Sequence, residues 1–142
     1  MLAQEAVDHS ATVARHLPYL RRYARALTGN QTSGDRYAVA VLETIITDPA
    51  MLSAHSHPKV ALFAVFHSIW STSGAPVAEA DYVVSGAAQA HMAGLTLNSR
   101  EALLLNTVEG FDQAEVAAIM GVDIEEAQHL IDIAVQEMER SV

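Results

Sequence analysis

Apolar residues along this chain recur at spacings of three and four, and the strict alternation of a strand is absent, so each long segment predicts helix. Leu17, Leu20, Ala24 and Leu27 share one side of a helix expected from about Ala11 to Thr28, with Arg15, Arg22 and Arg25 largely on the other side and Gly29-Asn30 to end it. A second helix is expected from about Ser33 to Thr47. It carries Tyr37, Val41, Leu42, Ile45 and Ile46, and stops at Asp48-Pro49 because a residue preceding proline disfavours helical geometry. Pro58 suits the first position of a third helix that reaches about Thr72. Its apolar residues Val60, Leu62, Phe63, Val65, Phe66, Ile69 and Trp70 cover more than one face. Ser71 to Pro76 then reads as a loop, and Glu79 to Met92 as an Ala-rich helix or connector.

The pattern resumes after Leu97. A helix is expected from about Ser99 to Val108, followed by two more with a tight turn at Gly121. The first of that pair carries Ala114, Val116, Ala117, Ile119 and Met120, and the second Ile124, Ala127, Leu130, Ile131, Ala134, Val135 and Met138. Asn98 with Glu101, Asp112 with Glu115 and Asp123 with Glu126 each set a capping side chain three residues before a glutamate that can reach back to it. The expected fold is all-α, with a three-helix unit over 1–75, a linker with a short helix over 76–98, and a helix-turn-helix unit over 99–142.

Charge changes how the helix-turn-helix is read. Residues 1–98 hold six basic and seven acidic side chains, and residues 99–142 hold two and ten, so −8 of the formal −9 lies in the second unit. Glu125, Glu126, His129, Asp132 and Gln136 would face outward on the last helix, where a recognition helix meets the major groove. Duplex DNA is bound by neutralising roughly six to ten phosphates with Lys and Arg, so this surface would be repelled. Five of the ten acids have an ordinary explanation as caps or first-turn charges; the missing cations do not. The same balance argues against an anionic membrane and is compatible with a basic protein partner.

No apolar run approaches the ~20 residues of a membrane span, and the N-terminus does not resemble a signal peptide. A cytoplasmic protein is expected, and the absence of cysteine fits a reducing compartment. Seven histidines raise the question of metal, but His55 and His57 have only Asp48 as a nearby carboxylate, so no metal or cofactor is expected. His67, on the apolar third helix, reads as a packed and hydrogen-bonded residue. No nucleophile, base and acid arrangement or phosphate-binding glycine loop stands out, and an enzyme is not expected.

Two helical units joined by a linker is the plan of an extracytoplasmic-function sigma factor. The run from Leu17 to Gly29 (LPYLRRYARALTG), with Leu97 to Leu105 (LNSREALLL) and Val108-Glu109-Gly110-Phe111, closely resembles the sigma-like domain of PhyR-type general stress response regulators. The resemblance covers nearly the whole chain. It implies partner switching: a domain shaped like a sigma factor sequesters a NepR-type anti-sigma protein and so frees the working sigma factor. In that family the domain precedes a phosphorylatable receiver that blocks the partner surface, so this chain is expected to be the output domain alone. Two departures from a working sigma factor agree. The helix expected to grip RNA polymerase with acids reads Asp35 to Glu43 with an almost wholly apolar interior, and Trp70 is followed by Ser71, Thr72, Ser73 and Gly74 where cations would hold an opened DNA strand. The alternative reading is a DNA-binding sigma factor of this kind or another helix-turn-helix regulator.

A three-helix unit has little interior, so helices apolar around more than half their circumference should leave a strip that holds a partner helix. The candidates for that strip are Tyr23, Leu27, Tyr37, Val41, Phe63 and Phe66 on the first unit, with Val108, Phe111, Leu130 and Ile131 on the second. Arg21, Arg22 and Arg25 fit ion pairs to the acidic second unit or to a partner, a remnant nucleic-acid patch, or a solvated face.

Overall fold

A computed structural model describes residues 2–55, 57–73 and 98–140, with side chains from Ala11 to Glu139 among them. Every regular element in these residues is helical: α1 (Leu2–Thr28), α2 (Gln31–Thr47), a 3-10 turn (Pro49–Ser53), α3 (Pro58–Thr72), α4 (98–107), α5 (Gln113–Met120) and α6 (Ile124–Arg140). None is long and apolar enough to cross a membrane. The helix or connector expected from Glu79 to Met92 lies outside the described residues.

Local chemistry sets most of the boundaries. Helix α1 starts at Leu2 rather than near Ala11, because Leu2, Ala3, Gln4, Glu5 and Ala6 are all strong helix formers and nothing breaks the run. Pro18 sits inside α1 and removes one backbone donor there. Gly29 then takes a left-handed φ of 72° and returns its N–H to the Arg25 carbonyl at 3.0 Å, closing the helix. The Asn30 side chain accepts from the Ser33 N–H at 2.9 Å, which draws the start of α2 back to Gln31. Pro58 opens α3 as its first residue. In the second unit Asp112 and Glu115 form the full reciprocal capping box, and the Asp123 side chain accepts from the Glu126 N–H at 2.8 Å. Gly121, at φ 69°, makes the helix-turn-helix turn.

Helices α1 and α2 cross at Gly34. A Cβ there would stand 2.7 Å from the Arg25 backbone nitrogen and 2.8 Å from its Cα. Alanine improves intrinsic helix propensity by about 1 kcal/mol over glycine, but backbone cannot rotate away from the added methyl. Gly34→Ala is therefore expected to cost a net 1 to 3 kcal/mol, in line with overpacked cores, as measured by urea unfolding. A stabilised variant would show that the crossing is looser than this.

The core is continuous across the two units. Helix α3 packs against α1, α2, the 3-10 turn and α5, which is why it is apolar on more than one face: Val60, Ala61, Leu62, Phe63, Val65, Phe66 and Trp70 are all buried. Its Phe63 ring meets Phe111 of the second unit at 5.2 Å, edge to face. Phe111, Val116, Ile119, Leu130 and Ile131 belong to the same cluster as Leu20, Tyr23 and Leu27.

Candidate partner-binding surface

The second unit reaches into the first with two acids. Glu101 of α4 is fully buried, and its oxygens lie 2.8 and 2.9 Å from His67 Nδ1 on α3. Tyr23 of α1 donates its hydroxyl to the same carboxylate at 3.1 Å. Burial, and then the Glu101 carboxylate beside it, push the Tyr23 phenol well above its ordinary value of 10.0. Glu109 also has its side chain out of solvent and accepts twice from Arg22, at 3.1 and 3.3 Å. Lys59 donates to the Glu109 main-chain oxygen at 3.1 Å. Burying an unpaired carboxylate is costly enough that such groups normally neutralise or find partners. Among the described residues no buried side-chain nitrogen or oxygen lacks a partner. The clasp ties α4 and the turn after it to α1 and α3.

Glu101 was expected to act in a capping box with Asn98, yet its carboxylate is committed to the first unit. The arginine cluster divides: Arg22 makes the ion pair between units, whereas Arg21 and Arg25 both pair with Asp35 of α2, at 3.5 and 2.9 Å. The hydrogen bond from Arg25, more than any other influence, holds the Asp35 carboxyl below its usual range. His67 is packed and hydrogen-bonded, as expected. No three metal-ligating side chains gather among the described residues.

The expected partner strip is mostly core. Tyr23, Leu27, Val41, Phe63, Phe66, Phe111, Leu130 and Ile131 are buried, Tyr37 is half-buried, and only Val108 is well exposed. Much of the apolar surplus is taken up inside the chain: α1, α2 and α3 pack on one another, and Phe111 of the second unit covers Phe63. Tyr37 stands at the margin, its ring 5.8 Å from Phe66 and its hydroxyl 2.6 Å from Ser73 Oγ.

What remains open is the outer face of α2. Val39 is 51% exposed and Ile46 78%, seven residues apart and thus on one side of the helix. An open trough of about 460 Å³ runs along Thr32, Asp35, Arg36, Val39, Ala40 and Glu43. A second depression of about 400 Å³ continues it, sharing Ala40 and Glu43 and reaching Ile69 of α3. The sequence marks Ile46 as an apolar residue of α2 but neither it nor Val39 was expected in the strip, although their seven-residue spacing, with Arg36 before and Glu43 between, was the available signal. Helix α6 presents a different face: Glu125, Glu126, His129, Asp132 and Gln136 are all exposed, as expected, and its three carboxylates would repel phosphate.

An all-α pair of units, one a three-helix bundle and the other a helix-turn-helix, with acids on the recognition helix, defines a sigma-like protein. Family models agree in both halves: the Sigma2 domain of PhyR matches residues 13–67, and the sigma-like domain of the response regulator PhyR matches residues 92–141. The chain is 36% identical to a chain of the PhyRSL–NepR complex from Sphingomonas sp. Fr1, covering 92% of this chain and 86% of that one with a TM-score of 0.71. It belongs to the PhyR sigma-like family. The phyllosphere-induced regulator PhyR of Methylorubrum extorquens is 38% identical over 126 residues, which make up 89% of this chain and 47% of that protein. Anti-anti-sigma factor PhyR from Bartonella quintana, in complex with anti-sigma factor NepR, matches with a TM-score of 0.72 at 31% identity, over 94% of this chain and 50% of that one. The chain thus spans about half the length of these two longer relatives.

Proposed function

We propose that this chain is an anti-anti-sigma module of the bacterial cytoplasm that sequesters a NepR-type anti-sigma protein, freeing an extracytoplasmic-function sigma factor for stress transcription. It works by binding rather than catalysis, and it needs neither cofactor nor DNA. One observation carries the reading: the helix that would grip polymerase through acids instead turns Val39 and Ile46 to solvent, and Val39 lines an open trough with Ala40 between Asp35, Arg36 and Glu43. An amphipathic partner helix fits that geometry. Of the residues expected from the sequence to form the strip, Tyr37 and Val108 are the two that remain accessible. The division into 1–75, 76–98 and 99–142 is part of this proposal, supported by separate family matches on either side of residue 76.

The test is calorimetric titration of the chain with the NepR proteins of Bartonella quintana and Sphingomonas sp. Fr1. A complex is expected with no phosphoryl group added, because this chain matches 86% of a chain of the PhyRSL–NepR complex. Val39→Asp with Ile46→Asp should weaken it at least about tenfold, as for central interface anchors, with helical content unchanged. Failure of both NepR proteins to bind at micromolar concentration overturns the proposal. So would tighter binding to promoter-like duplex DNA with a steep salt dependence, which would favour the sigma-factor reading.

A further inference from the structure

Two cations, Arg22 and Lys59, gather where the two units meet, and a third, Arg15, shares the face of α1 that carries Tyr19 and Arg22 at spacings of four and seven. Arg22 and Lys59 both stand over the Tyr19 ring, at 5.4 and 5.5 Å from its centroid, and Lys59 also lies 4.9 Å from the centroid of Phe111. Arg15 is exposed and has no carboxylate partner among the described residues. His16 feels the same field: desolvation first, and then Lys59 and Arg15, lower its pKa. The acid at the centre, Glu109, has its side chain out of solvent and already bonded to Arg22. Solvent therefore meets a cationic and aromatic surface, with Tyr19 45% exposed on one unit and Val108 51% exposed on the other. In a chain of formal charge −9, this local positive field needs an explanation.

We propose that this junction patch docks an acid-rich amphipathic segment of a protein partner, whose carboxylates meet Arg15, Arg22 and Lys59 while an apolar side chain rests on Tyr19 and Val108. Charge complementarity selects the occupant. Nucleic acid fits poorly, because three cations fall short of the roughly six to ten phosphates that duplex binders neutralise, and the acidic second unit flanks the patch. Both units contribute, so the patch exists only while the clasp of Glu101 and Glu109 holds them together. The inference shares Val108 with the NepR reading and otherwise rests on different residues, Arg15, Tyr19, Arg22 and Lys59.

Titration of the isotope-labelled chain with a synthetic amphipathic peptide, glutamates on one helical face and leucine and phenylalanine on the other, tests it by amide chemical shifts. Shifts are expected to centre on Arg15, His16, Tyr19, Lys59 and Val108 and to fade as salt is raised. Arg15→Glu should weaken the peptide at least about tenfold by reversing a contact charge, leaving shifts elsewhere in the spectrum unchanged. Shifts centred elsewhere, equal binding of a lysine-for-glutamate peptide, an unaffected Arg15→Glu variant, or stronger binding of a single-stranded oligonucleotide would each overturn the proposal.

Discussion

Glu101→Ala is expected to cost the folded chain about 3 kcal/mol, because it strands two hydrogen-bonding partners and leaves a void in the interior. His67, with its side chain 17% exposed, can recover some hydration. Tyr23 cannot: its hydroxyl loses an acceptor in a buried site, and a stranded buried donor alone costs about 1 to 3 kcal/mol. Glu101→Gln keeps the volume and leaves an oxygen for Tyr23, so it should cost less than half as much. Urea unfolding followed by circular dichroism and by Trp70 fluorescence measures both. Because Glu101 joins α4 to α1 and α3, the alanine variant should also expose α3 to faster hydrogen exchange while the helices persist. A loss below about 1 kcal/mol, the worth of an exposed ion pair, would mean the clasp contributes no more than a surface contact.

Local signals were legible where one residue decides the backbone. Gly29, Asn30, Pro49, Pro58, Asp112 and Gly121 each sit at a helix boundary anticipated from residue type alone. The acidic outer face of α6 followed from a 3.6-residue period and a count of charges. What escaped was the contact between units. Asn98 and Glu101 satisfy a capping pattern within three residues, and nothing local distinguishes an acid that caps its own helix from one that crosses to Tyr23 and His67, 78 and 34 residues away in sequence. The burial of most of the expected strip escaped for the same reason. The apolar surplus of α3 was correctly seen, but whether a surplus faces solvent, a partner or the chain's own second half is a question of tertiary packing that periodicity does not answer.

Placing Phe63 and Phe66 in the core sets the expected result for an aspartate at either position: loss of the fold rather than a folded protein that fails to bind. Both rings are fully buried. Phe63 lies between Tyr23 at 5.1 Å and Phe111 at 5.2 Å, and Phe66 contacts Tyr23, Tyr37 and Trp70. Removing such a ring costs about 3 to 5 kcal/mol, and an unpaired carboxylate in its place adds several more. Together these approach or exceed the 5 to 15 kcal/mol that a typical domain has in total. Phe66→Asp is the cleaner case, because Phe63 has Lys59 within 5.9 Å of its ring and a new carboxylate there could find a partner. Phe66→Asp should show collapsed helical circular dichroism and poor amide dispersion, whereas Val39→Asp, on the open face of α2, should keep both. If Phe66→Asp instead folds with native dispersion and loses only its anti-sigma partner, the side chain faces an accessible groove and the units pack more loosely than Phe63 on Phe111 requires.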